Sequence, residues 1–298
     1  MFKRVGILGH PLRPSTGEVC TKVAQTLRAL GVTAWCETLW DADAVRPMVA
    51  QTDLIIAIGG DGSMLRAARV SAEFNVPVFG INAGHLGFLT EASLDDWDTA
   101  LESLLAGRFW IESRMMLDVG AWRASELLTT GTALNDVVVS RGAVAKAVLL
   151  DAYIDGDWTT TYNADGLIVS TPTGSTAYAL AVGGPILPPE LKNILVVPVA
   201  PHLTLDRPIV LAEGATIEVV IAEETTTNVA LTVDGESLSE LAPLDSVVVR
   251  ASDKISRFVR LRERSYFYRS LLDRMEPRMP VRRDSAHVQH RPVLERKA

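Results

Sequence analysis

The chain has 298 residues, 48% of them hydrophobic and 22% charged, which is the composition of one large or two ordinary globular domains. Its formal net charge of −7 gives no electrostatic reason to expect a nucleic acid as a partner, and no apolar run is long enough to cross a membrane. The two cysteines, Cys20 and Cys36, are too few for a disulfide scaffold or a zinc site, which fits a reducing cytoplasm.

The first third of the chain alternates short apolar runs with amphipathic helical patterns. We predict strands at residues 5–9, 32–39, 54–58 and 76–81, with helices between them and a further helix at 94–105. Alternation of this kind predicts a parallel sheet with helices on both faces. In such sheets ligands bind outside the carboxyl ends of the strands, so the segments that follow each strand are the first candidates for a site.

A glycine-rich turn, Gly59-Gly60-Asp61-Gly62, follows the central strand and leads into a helix that we predict to be capped by Ser63. Backbone N–H groups at such a turn point outward, and the helix dipole adds positive potential, so the turn suits a phosphate. A carboxylate there repels phosphates. Asp61 is therefore either balanced by a metal ion or a base for a hydroxyl that attacks a phosphoryl group, unless the turn is a plain connection with an exposed acid.

The composition of the chain changes near residue 117, where valine and threonine become frequent and helical periodicity is lost. This part is predicted to be a mostly β domain of antiparallel or mixed sheets. Its predicted strands are residues 133–140, 147–154, 166–170, 194–199, 216–222, 228–233 and 246–250. The resulting domain prediction is an α/β domain at 1–114, a β domain at 115–261, a helix returning to the first domain at 262–274 and a disordered tail at 275–298.

Two polar segments stand out in the β-rich part. Residues 170–176 place six hydroxyl or glycine residues in seven positions at the start of a helix, which suits a phosphate or a ribose, and Tyr178 offers a flat face to a ring. Asn135 and Asp136 lie inside an apolar run, where an amide and a carboxylate suit adenine and ribose hydroxyls. The alternatives are an ordinary capped helix for the first segment and a polar pair on an edge strand for the second.

Together these segments resemble the NAD kinase family in its bacterial form, over about residues 5–272. The motifs occur in the family's order: Gly59-Gly60-Asp61-Gly62, Asn82 with residues 84–90, Asn135 with an acid, Asp165-Gly166, residues 173–178, Gly183-Gly184-Pro185, and Pro201-His202 to Arg207-Pro208. The resemblance implies a parallel-sheet α/β domain joined to a β-sandwich-like domain, a fold of the NAD kinase and diacylglycerol kinase type, with NAD bound between the two.

The resemblance also implies a reaction: transfer of the γ-phosphoryl group of ATP, or of a phosphoryl group of polyphosphate, to the 2′-hydroxyl of the adenosine ribose of NAD, with Mg²⁺ or another divalent metal. It implies a cytoplasmic homo-oligomer, a dimer or a tetramer, that acts on small molecules rather than on nucleic acid or membranes. The Walker phosphate loop does not occur in the sequence, so the phosphates are not held by the lysine of such a loop.

By resemblance, Asp61 is the proton acceptor and Asn135 and Asp136 hold the adenosine of NAD. Arg66 is a candidate contact for the donor phosphate. The other residues implied to bind the nucleotides are Gly59, Gly60, Gly62, Asn82, Asp165, Thr173, Thr176, Ala177, Tyr178, Ala179, Leu180, Ala181, Ala200 and Glu236.

Three positions depart from the usual residues of the family. Ser63 stands where Thr is common, Asp136 stands where Glu is frequent, and Glu236 falls where some relatives carry Gln. Two alternative functions stay open at this point: a lipid kinase of the same superfamily, which also carries the glycine turn, and a non-catalytic nucleotide sensor, which would need no carboxylate at Asp61. Formation of NADP from NAD, ATP and Mg²⁺ discriminates among the three.

Overall fold

The computed structural model of the protein describes residues 2–10, 14–84, 87–144 and 146–275, and for residues 14, 15 and 272–275 it describes the backbone alone. Through Glu263 the chain forms one compact unit. The last described helix, α6 (Tyr266–Met275), follows it. The predicted tail lies outside the described residues, apart from Met275 at the end of α6, and the return of α6 to the first domain stays a prediction. None of the described helices is long and apolar enough to span a membrane.

The N-terminal part is an α/β layer, as predicted. Its parallel strands run in the order β2-β1-β3-β4-β5, and β3 is buried at all six positions. The elements are β1 (Arg4–Leu8), α1 (Pro14–Ala29), β2 (Thr33–Glu37), α2 (Ala42–Val49), β3 (Leu54–Gly59), α3 (Asp61–Ala72), β4 (Val78–Asn82), β5 (Ala92–Ser93) and α4 (Trp97–Leu105).

Side chains of β3 point alternately to the two faces of this sheet, which explains its unbroken apolar run. Ile56 and Ile58 pack against α1 and α4, whereas Ile55 and Ala57 pack against α2 and α3. A strand that is covered on both faces needs an apolar residue at every position. The burial of β3 therefore holds the glycine turn at its end in a defined place.

The β-rich part contributes twelve strands, two short helical turns and a second sheet. Its elements are β6 (Trp110–Arg123), β7 (Glu126–Ala133), β8 (Asp136–Arg141), β9 (Val148–Ile154), β10 (Asp157–Ala164), β11 (Gly166–Ser170), a 3-10 turn (Gly174–Thr176), α5 (Tyr178–Ala181), β12 (Asn193–Val199), β13 (Ile209–Ala212), β14 (Thr216–Ile221), β15 (Val229–Val233), β16 (Glu236–Leu241) and β17 (Asp245–Arg260).

Six of these strands form an antiparallel sheet in the order β13-β12-β11-β8-β15-β16. It packs face to face on β9, β14, β17, β6 and β7, and the inward-facing residues of both layers form one apolar core. This arrangement is the predicted β-sandwich. Within it, β14 alternates buried and half-buried positions along its length, as expected for a strand with one face in the core.

The two parts share one sheet, because β17 is long enough to reach both. Its first half pairs with β14 and β6, and Phe258 near its end pairs with Val78 of β4 in parallel. The parallel strands and half of the sandwich are thereby joined into eleven strands. The predicted boundary at 114/115 falls within β6, and the extent of the domains stays a prediction.

Several predicted strands are shifted by one or two residues at their ends, and two predictions differ more from the structure. The predicted strand at 133–140 is interrupted at Leu134 and Asn135, because the backbone N–H groups there are bonded to the side chain of Asp234 rather than to a neighbouring strand. The predicted strand at 246–250 is the middle of β17, which has 16 residues. After Arg250 the strand has polar residues that break the alternation of apolar and polar positions, so the pattern does not predict its second half. That half nevertheless continues to pair with β6.

Candidate active site

The glycine turn lies at the carboxyl end of β3, as predicted, but the helix that follows starts two residues before the predicted cap. Gly60 is the N-cap residue of α3 and Asp61 its first residue, so Ser63 lies inside the first turn and is not the cap. A Cβ on Gly59 would meet the Oγ of Ser63 at 2.2 Å, so the serine requires a glycine there. Gly62 is exposed, with open space where its Cβ would be.

The carboxylate of Asp61 is fixed by the backbone of a neighbouring loop. Its Oδ2 accepts a hydrogen bond from the Phe88 N–H at 3.2 Å, and its Oδ1 accepts one from the Leu89 N–H, also at 3.2 Å. A Cβ on Gly87 would lie 1.8 Å from Oδ1 of Asp61, so only glycine admits the carboxylate there. Asp61 itself stays half-exposed, which leaves it accessible to a ligand.

Asn82 shapes the loop that carries Phe88 and Leu89. Its Oδ1 accepts a hydrogen bond from the Gly84 N–H at 2.7 Å, and its Nδ2 donates to Oγ1 of Thr90 at 3.2 Å. The same Thr90 oxygen accepts the N–H of Gly87 at 3.0 Å. Asn82 is buried, so its observed role is to organise the loop that positions Asp61.

A second carboxylate, that of Asp234, holds the segment with Asn135 and Asp136. Its Oδ1 accepts the Asn135 N–H at 2.7 Å and the Asp136 N–H at 3.2 Å, and its Oδ2 accepts the Leu134 N–H at 3.0 Å. Asp234 has a φ of +50° and is followed by Gly235 at +81°, which makes the tight hairpin turn between β15 and β16. The turn presents the carboxylate to three donors at once.

Asp136 and Asp234 are two buried acids in contact with the same segment. Burial, reinforced by the negative charge of Asp234, raises the pKa of Asp136 to about 7. Burial also raises the pKa of Asp234, although the three backbone donors and Arg69 oppose that rise. Asp136 therefore changes charge in the neutral pH range.

Asn135, Asp136, Ala177 and Tyr178, four of the predicted site residues, line a cavity of about 380 Å³ that we call the Asp136 cavity. Its lining includes the half-exposed aromatic ring of Tyr178 and several polar side chains. A flat ring together with amide and carboxyl groups in one cavity suits a heterocyclic base and its sugar. The other described residues that line it are Val138, Ser140, Thr232, Asp234 and Gly235.

Arg66 and Glu236 do not line the Asp136 cavity; both line a separate cavity of about 510 Å³ beside α2 and α3. The guanidinium carbon of Arg66 lies 4.6 Å from the centre of the Trp40 ring, and its Nε is 3.8 Å from Oε1 of Glu236. Glu236 also pairs with Arg69, whose Nη1 lies 3.8 Å from Oδ2 of Asp234. Arg69 thus links α3, which carries Asp61, to the acid that holds Asn135 and Asp136.

In the hydroxyl-rich turn at residues 170–176, the side chains mainly form hydrogen bonds with the protein's own backbone. Ser175 bonds to Pro172 and Leu187, and Thr176 Oγ1 donates to the Thr173 carbonyl at 3.2 Å. The helix predicted to begin near Thr176 is a 3-10 turn followed by the four-residue α5, which contains Tyr178, Ala179, Leu180 and Ala181. Ala179 is fully buried, whereas Ala181 is exposed.

The remaining predicted residues lie at the ends of β10 and β12. Asp165 forms an ion pair with Nε of Arg141 at 2.9 Å, and Ala200 is exposed with a φ of +45°. Neither is among the described residues that line the Asp136 cavity. Their predicted contacts with NAD stay predictions.

A buried ion network lies where β6 and β17 meet the Asp61 loop, and the sequence interpretation missed it. The Glu112 Oε2 atom accepts Nε of both Arg260, at 2.8 Å, and Arg114, at 3.0 Å. Arg114 also donates through Nη1 to the Thr173 hydroxyl at 3.3 Å. The signal in the sequence was the presence of Glu112, Arg114 and Arg260 inside strands, since charged residues are seldom fully buried unless paired.

Two family models match the chain: the ATP-NAD kinase N-terminal domain matches residues 11–109, and the ATP-NAD kinase C-terminal domain matches residues 134–261. The NAD kinase of Dehalococcoides mccartyi strain BAV1 is 37% identical over 278 residues, which are 91% of this chain and 95% of that protein. The chain belongs to the NAD kinase family.

Other NAD kinases agree with this assignment. That of Chloroflexus aurantiacus is 38% identical over 92% of this chain and 99% of its own length. The crystal structure of yeast NADH kinase complexed with NADH superposes with a TM-score of 0.79 and 25% identity, covering 92% of this chain and 87% of that one. An Archaeoglobus fulgidus NAD kinase in complex with ATP, 24% identical, shares the fold with a TM-score of 0.70 over 91% of this chain and 97% of its own.

Membership of the NAD kinase family confirms the predicted fold class and function, and the lipid-kinase and sensor alternatives are not favoured.

Gly87→Ala should displace the Asp61 carboxylate, because the added methyl group overlaps its Oδ1. We expect the turnover of this NAD kinase to fall by about tenfold or more while the KM for NAD changes little, since a misplaced catalytic group costs rate rather than binding. Steady-state kinetics with NAD and ATP measures both. Gly214→Ala, where a Cβ would meet open space, is the matched control. Equal effects of the two substitutions would show that displacing the Asp61 carboxylate does not lower turnover.

The free energy of unfolding of Asp136→Asn should increase relative to that of the wild type as the pH rises. The pKa of Asp136 in the folded state, about 7, lies above its unfolded value, so the folded state binds more protons between roughly pH 4 and 7. The wild type therefore loses stability across that window, and an asparagine does not.

Urea titrations of both proteins from pH 5 to pH 8 measure this difference, which we expect to grow by on the order of 1 kcal/mol or more. Asp165→Asn, at a partly exposed acid paired with Arg141, serves as the control. A difference between Asp136→Asn and the wild type that stays constant with pH would show that Asp136 is already ionised at pH 5.

Proposed function

We propose that this chain transfers the γ-phosphoryl group of ATP to the 2′-hydroxyl of the adenosine ribose of NAD, with Asp61 as the proton acceptor. The observation that carries the proposal is the placement of Asp61: a half-exposed carboxylate, oriented by two backbone N–H groups, at the start of a helix that follows a glycine turn. The known complexes of related kinases, with NADH in one case and ATP in another, support these two ligand classes.

The adenosine of NAD would occupy the Asp136 cavity, with Tyr178 against the base and Asn135 and Asp136 toward the base and sugar. This assignment is supported by the ion pair between Arg69 and Asp234, which connects α3 to the turn that holds Asn135. The residues around the adenosine and the acid beside its 2′-hydroxyl would then be held in place by the same contacts. Positioning of this kind supplies much of the rate in phosphoryl transfer, because its loose transition state needs little proton removal.

In the proposed step, the oxygen of the 2′-hydroxyl forms a bond to the γ-phosphorus while the bond to the β–γ bridging oxygen breaks, which releases ADP. The hydroxyl proton passes to a carboxylate oxygen of Asp61 late in the step, when the attacking oxygen has become acidic. The backbone N–H groups of the turn at Gly60 would face the phosphoryl oxygens. Polyphosphate could serve as donor by the same chemistry.

The described residues contain no group of three or more histidine, cysteine or acidic side chains placed to hold a metal ion. Proteins usually bind Mg²⁺ through one or two carboxylates together with the phosphates of a nucleotide, and we propose that Mg²⁺ binds with ATP in this way. The metal would neutralise charge on the phosphates of ATP. The predicted contact of Arg66 with those phosphates is part of the proposal, and its pairing with Glu236 would have to yield to it.

We also propose that the chain forms a homo-oligomer and acts in the cytoplasm. The first part is the expectation for its family, and the second is supported by the low cysteine content, since the described Cys20 and Cys36 are both free thiols. Light scattering on the purified protein measures the subunit count.

Asp61→Asn should fold normally and lose about 10²-fold or more in turnover, because the amide cannot accept the proton and its NH2 group cannot accept one of the two backbone N–H groups that hold the carboxylate. A coupled assay for NADP, with NAD, ATP and Mg²⁺, measures the loss. Asp98→Asn is the matched control, since Asp98 is also an acid in the first turn of a helix of the same sheet layer.

Turnover at the wild-type level in Asp61→Asn would refute the role of Asp61. Absence of NADP formation by the wild type itself would refute the proposed reaction.

A further inference from the structure

Arg260 contacts the loop that orients Asp61 from the side opposite to the carboxylate. Its Nη2 lies 3.4 Å from the Phe88 carbonyl oxygen and its Nη1 lies 3.2 Å from that of Leu89. Phe88 and Leu89 are the residues whose N–H groups hold Asp61. The guanidinium is fully buried, so it does not touch a substrate.

We propose that Arg260 is a positioning residue for Asp61 and acts through the peptide group that joins Phe88 to Leu89. The carbonyl of that peptide accepts from the Arg260 cation, while its N–H donates to the Asp61 anion. The proposal rests on the proposed role of Asp61 in the reaction.

A peptide group between a cation and an anion is polarised by both, and hydrogen bonds in such a chain strengthen one another. Inside the protein this effect is greater than in water, because the surroundings of Arg260 have a low dielectric constant. The arrangement fixes the direction of the Leu89 N–H, and thereby the direction in which Oδ1 of Asp61 faces. A change in the side chain at 260 would be felt at Asp61 without any contact between the two.

Arg260 is itself held on two sides by carboxylates. Its Nε donates to Glu112 at 2.8 Å, and its Nη1 donates to Glu91 at 2.8 Å. Burial of Glu91 favours the neutral acid, but the charges and hydrogen bonds of Arg260 and Arg262 outweigh it and hold the pKa of Glu91 below its usual value. Both flanking acids keep the guanidinium in one orientation.

The network extends to the other half of the candidate site. Glu112 also binds Arg114, which donates to the Thr173 hydroxyl in the turn before α5. The ring of Phe258 contacts both cations, with its centre 5.3 Å from the guanidinium carbon of Arg114 and 5.2 Å from that of Arg260. One buried network therefore contacts the Asp61 loop at one end and the dinucleotide-binding turn at the other.

Stability alone does not account for this network. Burying ion pairs costs desolvation, and well-packed apolar residues of similar volume often stabilise a protein as well or better. The contacts of Arg260 with the carbonyls of Phe88 and Leu89 are what an apolar replacement could not reproduce.

The test uses Arg260→Lys, which keeps the charge but lacks the planar fork that reaches both carbonyls. We expect kcat to fall by about tenfold while the KM for NAD changes by less than about twofold, the pattern of a lost transition-state interaction. Arg123→Gln is the control: Arg123 forms a two-pronged pair with Asp245 on the same two strands, away from the site. A kcat for Arg260→Lys within about twofold of that of the control would overturn the proposal.

A double-mutant cycle separates this inference from the proposed function. If Arg260 acts through Asp61, the loss of kcat caused by Arg260→Lys should largely disappear in an Asp61→Asn background. The cycle uses the residual turnover of Asp61→Asn, and an equal fold-loss in both backgrounds overturns the positioning role. Wild-type turnover in Asp61→Asn overturns the role of Asp61 instead.

An amide measurement keeps the proposal falsifiable if Arg260→Lys does not fold. In Asp61→Asn, the anion at one end of the polarised peptide is removed, so the NMR resonances of the Leu89 N–H and of the Arg260 guanidinium should both shift. Unchanged guanidinium resonances would overturn the proposal that Arg260 acts on Asp61 through this peptide group.

Discussion

The ion network of Glu112, Arg114 and Arg260 is the constraint on which the rest of the site depends. It lies on β6 and β17, the strands that pair along nearly their whole length and belong to both the parallel sheet and the sandwich. All three side chains are at most 3% exposed. A buried charge that loses its partner costs several kcal/mol, roughly 3–5. The strands and loops that bring these groups together are therefore held in one relative position. The Asp61 loop, which Arg260 contacts, is held in place with them.

The acids of the site illustrate how different surroundings give one side chain different properties. The Asp61 carboxylate keeps partial access to solvent and accepts two backbone donors. Asp234 is buried against three donors and serves as a structural clamp, whereas burial beside it raises the pKa of Asp136 to about 7. In the proposed reaction, the first suits proton transfer late in the step and the second suits the fixing of the segment with Asn135, and the proposed contact of the third with NAD would make coenzyme binding sensitive to pH.

The parts of the fold that depend on neighbours in sequence could be predicted. The apolar run of β3 and the glycine turn after it are local features, and so is the polar pair at Asn135. The capping of α3 was misjudged because Gly60, which has no side chain to cap with, fills the N-cap position. What escaped prediction depends on contacts across the chain: Asp234 binds Asn135 over 99 residues, and Arg260 binds Glu91 over 169. Local periodicity carries no information on such pairs.

We expect the acid at the glycine turn and the Asp136 cavity to face one coenzyme between the two parts of the fold. A crystal structure of the protein with bound NAD tests it most directly. We expect the adenine in the Asp136 cavity beside Tyr178, with a carboxylate oxygen of Asp61 within hydrogen-bond distance, about 2.6–3.2 Å, of the 2′-oxygen of the adenosine ribose. An adenosine bound elsewhere, or a 2′-hydroxyl turned away from Asp61, would contradict it.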